Sequence, residues 1–435
     1  MQSATVEVVA VDDEPGAWRL GTRIGFRFCV VYLGLFCLTF AQITFAFAGV
    51  LARWLPDGAV IWQMVALEPI TGWVGRTVLG VDAVLQPSTG SGDQAAIWVY
   101  VFSLLAAAAV ATVVWSVLDR RRLRYPTLTT WFTVFLRLCL GGQMLFYGFA
   151  KLIPTQMPSP PLASLVEPFG NLSPMAVLWL QVGTSHPYEM ALGAAEVAAG
   201  VLLFIPRTAT LGALVSLAAT GQIFLLNMTY GVPVKILSFH LVLISALLLA
   251  PKARRLVDVL VLGHGVGPEE RPALFASGRR NRIAAIAQIV LCAWVLIGGL
   301  ALNLQAWKEY GDGRPKPDLY GIWQVTDFSI DGRPLPPLMS DDTRWQRLIF
   351  DRPEVVTYQL MNNDLVDVAA SQTGDTLALP DVEGTFAVTR TGDHLHLDGR
   401  LKDSRVAITL ERQPLDDFTL RNRGFHWVQE APYFG

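Results

Sequence analysis

Over its first three hundred positions the chain gathers its apolar residues into long runs, and beyond them apolar and polar residues alternate. A bilayer core takes about 20 largely apolar residues per helix. Seven stretches meet that length, at 24–52, 94–118, 128–150, 188–206, 208–228, 234–250 and 283–307. A further apolar stretch, Ala59 to Leu85, holds Glu68, Pro69, Arg76 and Asp82 and reads as interfacial or re-entrant rather than as a span. Gly311 to Asp318, GDGRPKPD, breaks the helical pattern. After it the period becomes two, in Leu319–Val325, Val355–Tyr358, Thr385–Val388, His394–Leu397 and Val406–Leu410, with turn residues at 330–332, 362–364, 373–375 and 391–393. Short strands at that spacing predict an antiparallel sandwich or small barrel. The expected fold class is an α-helical integral membrane protein of about seven transmembrane helices followed by a small all-β extracytoplasmic domain. Its expected parts are a cytoplasmic N-terminal tail at 1–22, a helical domain at 23–308 and the β domain at 309–435.

Composition agrees: 52% of the 435 residues are hydrophobic, 16% are charged, and the mean hydropathy is +0.41. The net charge of -2 conceals a division. Residues 309–435 carry 13 Lys and Arg against 21 Asp and Glu, so the acidic excess lies there and the basic excess lies among the spans. Neither part has the basic surface of a nucleic-acid binder, and no nucleic-acid partner is expected. Cationic side chains in short loops stay on the cytoplasmic side. Arg120, Arg121, Arg122 and Arg124 follow the second span, Arg207 the fourth, and Lys252, Arg254, Arg255, Arg271, Arg279, Arg280 and Arg282 the sixth. The expected topology has a cytoplasmic N-terminus and an extracytoplasmic C-terminal domain, which in a two-membrane bacterium means the inner membrane and the periplasm. The first residues lack a basic region leading into a cleavable apolar segment, so the first span should be retained. Cys29, Cys37, Cys139 and Cys292 all lie in apolar runs without a CxxC, which argues against zinc, a dithiol centre and a disulfide framework.

Charges inside a bilayer are costly unless paired or facing a cavity, which makes them the first functional candidates. Arg137 and Glu196 each lie roughly 15 Å from the cytoplasmic face at about 1.5 Å rise per residue, and are expected to pair. A purely structural ion pair that fixes how two helices dock is the competing reading. Arg137, Met144, Gly148 and Lys151 share one helix face with Tyr147 beside it, and Glu189, Gly193, Glu196 and Gly200 share another. Glycines on such faces permit close helix contact. Lys151, Gln156, Glu167, His186, Glu189, Lys235 and His240 are expected around one outward-facing pocket, with satisfaction of helix ends as the competing reading for Lys235 and the favoured one for Asn227. His240 is the single histidine inside a predicted span, so bis-histidine haem is not expected. His394 and His396 share a strand face, which without a third ligand nearby reads as exposed polar surface. No Ser-His-Asp spacing, phosphate loop or dinucleotide motif is evident.

The stretch RLCLGGQMLFYGFAK at Arg137–Lys151, followed by Gln156-Met157-Pro158, Gly193-Ala194-Ala195-Glu196, the Gly200-Val201-Leu202-Leu203 run and Asn227 to Lys235, resembles the DoxX-like membrane family. Short members are four-helix proteins with an Arg, a Gly-x-x-Lys and a later Glu before a Gly-Leu-Leu run. The matching positions are Arg137, Gly148, Lys151, Glu196 and Gly200, within about 128–260. The closing Arg423-Gly424-Phe425-His426-Trp427 with Glu430 resembles the tail of longer members, and Gly321-Ile322-Trp323 resembles the opening of lipocalin-like barrels. The extra helices and the β domain depart from the short form. The resemblance implies thiosulfate:quinone oxidoreduction or a membrane redox complex with partner subunits.

The first reading is therefore a membrane redox-associated protein, a quinone-reactive subunit of an oxidoreductase complex, with quinone as the expected cofactor and periplasmic or membrane redox proteins as expected partners beside the lipid bilayer. In it Arg137 and Glu196 floor the pocket, Lys151 and Lys235 bind an oxygen, His240, Glu189 or Glu196 exchanges protons, and Tyr147, Gln156 and Asn227 line it. Reduction of a quinone consumes protons, and burial can bring a carboxylate or histidine into the range where it supplies them. The alternatives are a non-enzymatic scaffold or assembly factor whose β domain binds a periplasmic partner, and a lipid or small-solute carrier.

Overall fold

A computed structural model describes residues 18–267 and 273–433. Most of the expected N-terminal tail, and Arg271, lie outside the described residues. Among the described residues seven helices are long and apolar enough to cross a bilayer, and the chain is a multi-pass membrane protein followed by a β domain. By contact the chain divides into two compact units, residues 1–153 with 190–304, and residues 154–189 with 305–435.

The helical unit starts with α1 (Leu20–Thr39), α2 (Ala41–Phe45) and a 3-10 segment (Ala46–Trp54). The first apolar run is thus broken where a single span to residue 52 was expected. Phe40 is extended, and Gly49 takes φ +57 with the indole of Trp294 packed where a Cβ would stand. Only glycine fits such a contact and such a φ. The region read as interfacial forms α3 (Trp62–Val74), with Pro69 inside it, and a short π turn (Gly75–Leu79). The remaining helices are α4 (Ala95–Leu118), α5 (Pro126–Leu152), α6 (Pro174–Gly183), α7 (His186–Phe204), α8 (Ala209–Thr229), α9 (Lys235–Leu249), α10 (Ala253–Leu260) and α11 (Gly278–Glu309). Three carry proline in the first turn, at Pro126, Pro174 and Pro187, where its missing N–H costs nothing. Val110, Val117 and Leu118 on α4 stay exposed, as lipid-facing side chains do. The core of this unit joins Phe36, Phe40, Leu140, Leu203 and Ile244.

Among the described residues the second unit holds ten strands, β1 (Gly321–Ile330), β2 (Arg333–Pro334), β3 (Trp345–Arg352), β4 (Val355–Leu360), β5 (Leu365–Ala369), β6 (Ser371–Thr373), β7 (Thr376–Leu379), β8 (Gly384–Thr391), β9 (His394–Leu401) and β10 (Ser404–Gln413), then the one-turn α12 (Thr419–Asn422). All pair antiparallel in the order β5-β4-β3-β1-β10-β9-β8-β7-β6, with β2 on β1. The outermost strands β5 and β6 are separated in the chain by Ala370 alone, so the sheet curls nearly closed. Alternation drives this: Trp323, Val325, Phe328, Phe386, Leu395, Leu397, Ile408 and Leu410 fill its interior. Turns at Asp331-Gly332, Asn363, Gly374 and Gly392 take positive φ, as tight hairpins of right-handed twist require. Trp323 is fully buried and its indole N–H donates to the Leu319 carbonyl at 2.8 Å.

Alternation alone does not explain Ile322 and Ile349, which are fully buried on the opposite face. They are covered by residues 162–166, a strap far away in sequence. Leu162 N–H donates to Asp351 Oδ2 at 3.2 Å, and Gln359 Nε2 to the Val166 carbonyl at 3.2 Å. Residues 154–189 therefore group with the β strands, which their place among the spans does not suggest.

Candidate functional site

Helices α5 and α7 run against each other with Gly193 at Leu152, Gly200 at Leu145 and Phe204 at Gly141. A Cβ on Gly193 would stand 2.3 Å from the Leu152 nitrogen, so this position demands glycine. That register sets Glu196 level with Gly148. Lys151, one turn on, reaches it: Nζ lies 2.9 Å from Oε1 and 3.0 Å from Oε2, and both side chains are buried.

The expected Arg137–Glu196 pair is not formed. The same register carries Arg137 past Gly141 to the other end of the contact, where its guanidinium donates to Gln288 Oε1 of α11. Glu196 takes Lys151 instead. Depth counted from predicted ends could not give this, because the contact register depends on which glycines meet.

Gln143, Tyr147 and Lys151 recur every four residues and form one stripe on α5. Gln143 Nε2 donates to the Gln42 carbonyl at 2.8 Å, the Tyr147 hydroxyl lies 3.5 Å from Gln42 Oε1, and Lys151 Nζ lies 5.8 Å from the Tyr147 ring centre. Gln143 is completely buried with its Oε1 unpartnered. The site is thus a buried cation–carboxylate pair, a phenol and a free amide acceptor. Gln143 was legible from its spacing with Tyr147 and Lys151; Gln42, in the broken first span, carried no local signal.

The other expected pocket residues are distributed. His240 stacks on Phe36 at 3.8 Å between ring centres, donates from Nδ1 to the Ile236 carbonyl at 2.6 Å and accepts from the Tyr32 hydroxyl at Nε2 at 2.7 Å. Lys235 belongs to a helix start: Asp93, from the loop before α4, accepts from the backbone N–H of Lys235 and Ile236 at 2.8 and 3.0 Å and lies 3.4 Å from the Lys235 ammonium. This caps α9 with a carboxylate, the favoured sign at a helix N-terminus. Asn227 donates to the Val234 carbonyl and to Ser238 Oγ, closing the turn between α8 and α9. Arg27 was missed altogether: it is buried on α1 and donates to Tyr125 Oη, Ser116 Oγ and the Asp119 carbonyl at 2.7–2.9 Å. Its place three residues inside the first predicted span was the available signal.

Within the second unit, Glu189 is buried and accepts from Met157 N–H at 3.1 Å, and the Gln156 carbonyl accepts from the Trp179 indole at 3.0 Å. Glu167 lines a cavity of about 290 Å³ with Ser164, Asp351, Thr357 and Asp367. Although spacing showed no Ser-His-Asp arrangement, the fold brings Ser159, His186 and Asp312 together. Ser159 Oγ and Asp312 Oδ2 both meet His186 Nε2, at 3.2 and 2.9 Å. A nucleophile relay needs the carboxylate on the other ring nitrogen, so this cluster is a strut. Arg314 pairs with Asp351 at 2.9 Å, and burial together with Asp351 pushes the Tyr320 phenol above its usual pKa. His394 and His396 are exposed on β9.

No family model matches the chain, and no solved structure matches it. The uncharacterized protein YwoB of Bacillus subtilis (strain 168) is 31% identical over 132 residues, which are 28% of this chain and 78% of that protein. Through that shared stretch, the chain belongs to the same family as YwoB.

Proposed function

We propose that the protein is a membrane redox-associated, quinone-reactive subunit whose ligand-binding residues are Lys151, Glu196, Tyr147 and Gln143, and that its core is DoxX-like. The observation that carries this reading is the buried Lys151–Glu196 pair with a free amide oxygen beside it on the same stripe. Lys151 and Tyr147 can donate to a carbonyl oxygen, Gln143 Oε1 can accept from a hydroxyl, and Glu196 can hold or release a proton without leaving its lysine. A bound quinone would supply two-electron, two-proton chemistry, with electrons delivered by a partner redox protein. The residues fit such a headgroup because they offer a donor and an unpartnered acceptor within one buried cluster. In this reading the basic segments after α4, α7 and α9 face the cytoplasm of a bacterial inner membrane, and the β domain faces the periplasm.

Solvent extraction and mass spectrometry of the full-length purified protein test it. A retained quinone is expected, lost on Lys151→Met, and also lost on Gln143→Leu, which changes no charge. A wild-type protein without quinone, or variants that retain it, overturns the assignment.

A scaffold reading has its own observation. Arg27, Lys235 and His240 are all engaged by other groups of the chain, as polar groups are when they only fix how helices dock. Co-purification of a stoichiometric protein partner with no small molecule would favour it.

A further inference from the structure

The C-terminal segment after β10 carries large apolar side chains that the unit leaves uncovered. Leu420, Phe425, Val428 and Tyr433 are exposed, and Trp427 is 91% exposed. A water-facing domain rarely leaves such a cluster bare without a partner for it.

Register shows where this segment is rooted. Ile322 pairs with Gln413, so β10 ends at the edge of the sheet where β1 begins, the edge at which the chain arrives from α11. Leu415 and Phe418 pack with Tyr320 and Ile322, directly after the linker from that span. Leu420 and Arg421 line a cavity of about 310 Å³ together with Ser159, His186 and Pro187. His186 opens α7, which is itself a span. The root of the segment therefore lies beside the beginning of one span and the linker leaving another, which is the level at which a bilayer surface must lie.

We infer that residues 420–433 form an interfacial membrane segment, seated in the headgroup region of the bilayer that the chain itself spans. Its chemistry suits that layer. Trp and Tyr concentrate at membrane–water interfaces, where an apolar ring and a polar edge are both satisfied. Arg421 and Arg423 can reach lipid phosphates, the Arg423 guanidinium lying 4.3 Å over the Tyr433 ring. Only Glu430 adds negative charge between Leu420 and Tyr433. This inference rests on the spans and not on the quinone reading.

The test uses full-length protein in liposomes, its four cysteines replaced by alanine, with a spin label at Gln429→Cys. A reference label at Met339→Cys sits in the exposed loop between β2 and β3, at the other end of the sheet. Collisions with dissolved oxygen report lipid, and collisions with a water-soluble nickel chelate report solvent. The oxygen-to-nickel ratio at 429 should exceed that at 339 severalfold, and Phe425→Ser with Trp427→Ser should return it to the reference value. Equal ratios at the two positions overturn the inference. So does a label at 429 shielded from both reagents, since that means burial against protein. In the chain with its native cysteines, bromine-labelled lipid should quench tryptophan emission less after Trp427→Phe. Unchanged quenching also overturns it.

Discussion

The two units solve opposite problems with the same side chains. In the helical unit apolar residues point both inward and outward, and charged groups within the spans or at their ends are held in specific partnerships: Lys151 with Glu196, Arg27 with Tyr125 and Ser116, Lys235 with Asp93. In the β unit apolar residues point inward, and pairs such as Arg405–Asp398 and Arg352–Asp367 lie largely in solvent. A charge in the first unit is a fixed joint, and a charge in the second is mostly solubility. Water screens exposed pairs, whereas a buried ion that loses its partner cannot recover hydration.

This contrast makes quantitative expectations. The largest concerns Glu196→Ala, which strands a buried lysine and should cost about 3–5 kcal/mol. Thermal unfolding in detergent measures it, and the double change Lys151→Met, Glu196→Met should recover most of the loss. If the double variant is no more stable than the single one, the pair is not the joint described. In the β unit the comparable loss must come from packing: Trp323→Ala should cost about 3–5 kcal/mol through its cavity. Loss of near-ultraviolet dichroism would report it.

Asp93→Ala should cost about 0.5–2 kcal/mol, since it uncaps α9, and Asp93→Asn should restore part of that. A midpoint unmoved by either change would show that the cap contributes nothing. Smallest of all, Arg405→Ala should change stability by less than about 0.5 kcal/mol. A larger loss there would blur the distinction between the units.

The spans were legible because lipid imposes one demand, length and apolarity together, that shows directly in composition. The strands were legible where one face meets water, as in β8, β9 and β10, whose exposure alternates along the strand. Strand β3 was not, since Leu348 to Asp351 are buried on both faces and offer no alternation. At the site, Lys151, Glu196 and Tyr147 were identified but Glu196 was matched with Arg137, because helix register is a tertiary property decided by Gly148, Gly193 and Gly200. His240 and Lys235 looked like chemistry from type and depth alone. Their partners Tyr32 and Asp93 come from segments more than a hundred residues away.

The strap over the outer face of the sheet has a consequence for biosynthesis. Its hydrogen bonds from Leu162 to Asp351 and from Gln359 to Val166 close chain intervals of 189 and 193 residues. The strap emerges from the ribosome early and must wait, undocked, while four more spans are inserted. Only when β1, β3 and β4 have been translated can it cover Ile322 and Ile349. The β domain is therefore the last part of the chain to mature, and a fragment starting at residue 305 would present a bare apolar face to any chaperone that meets it.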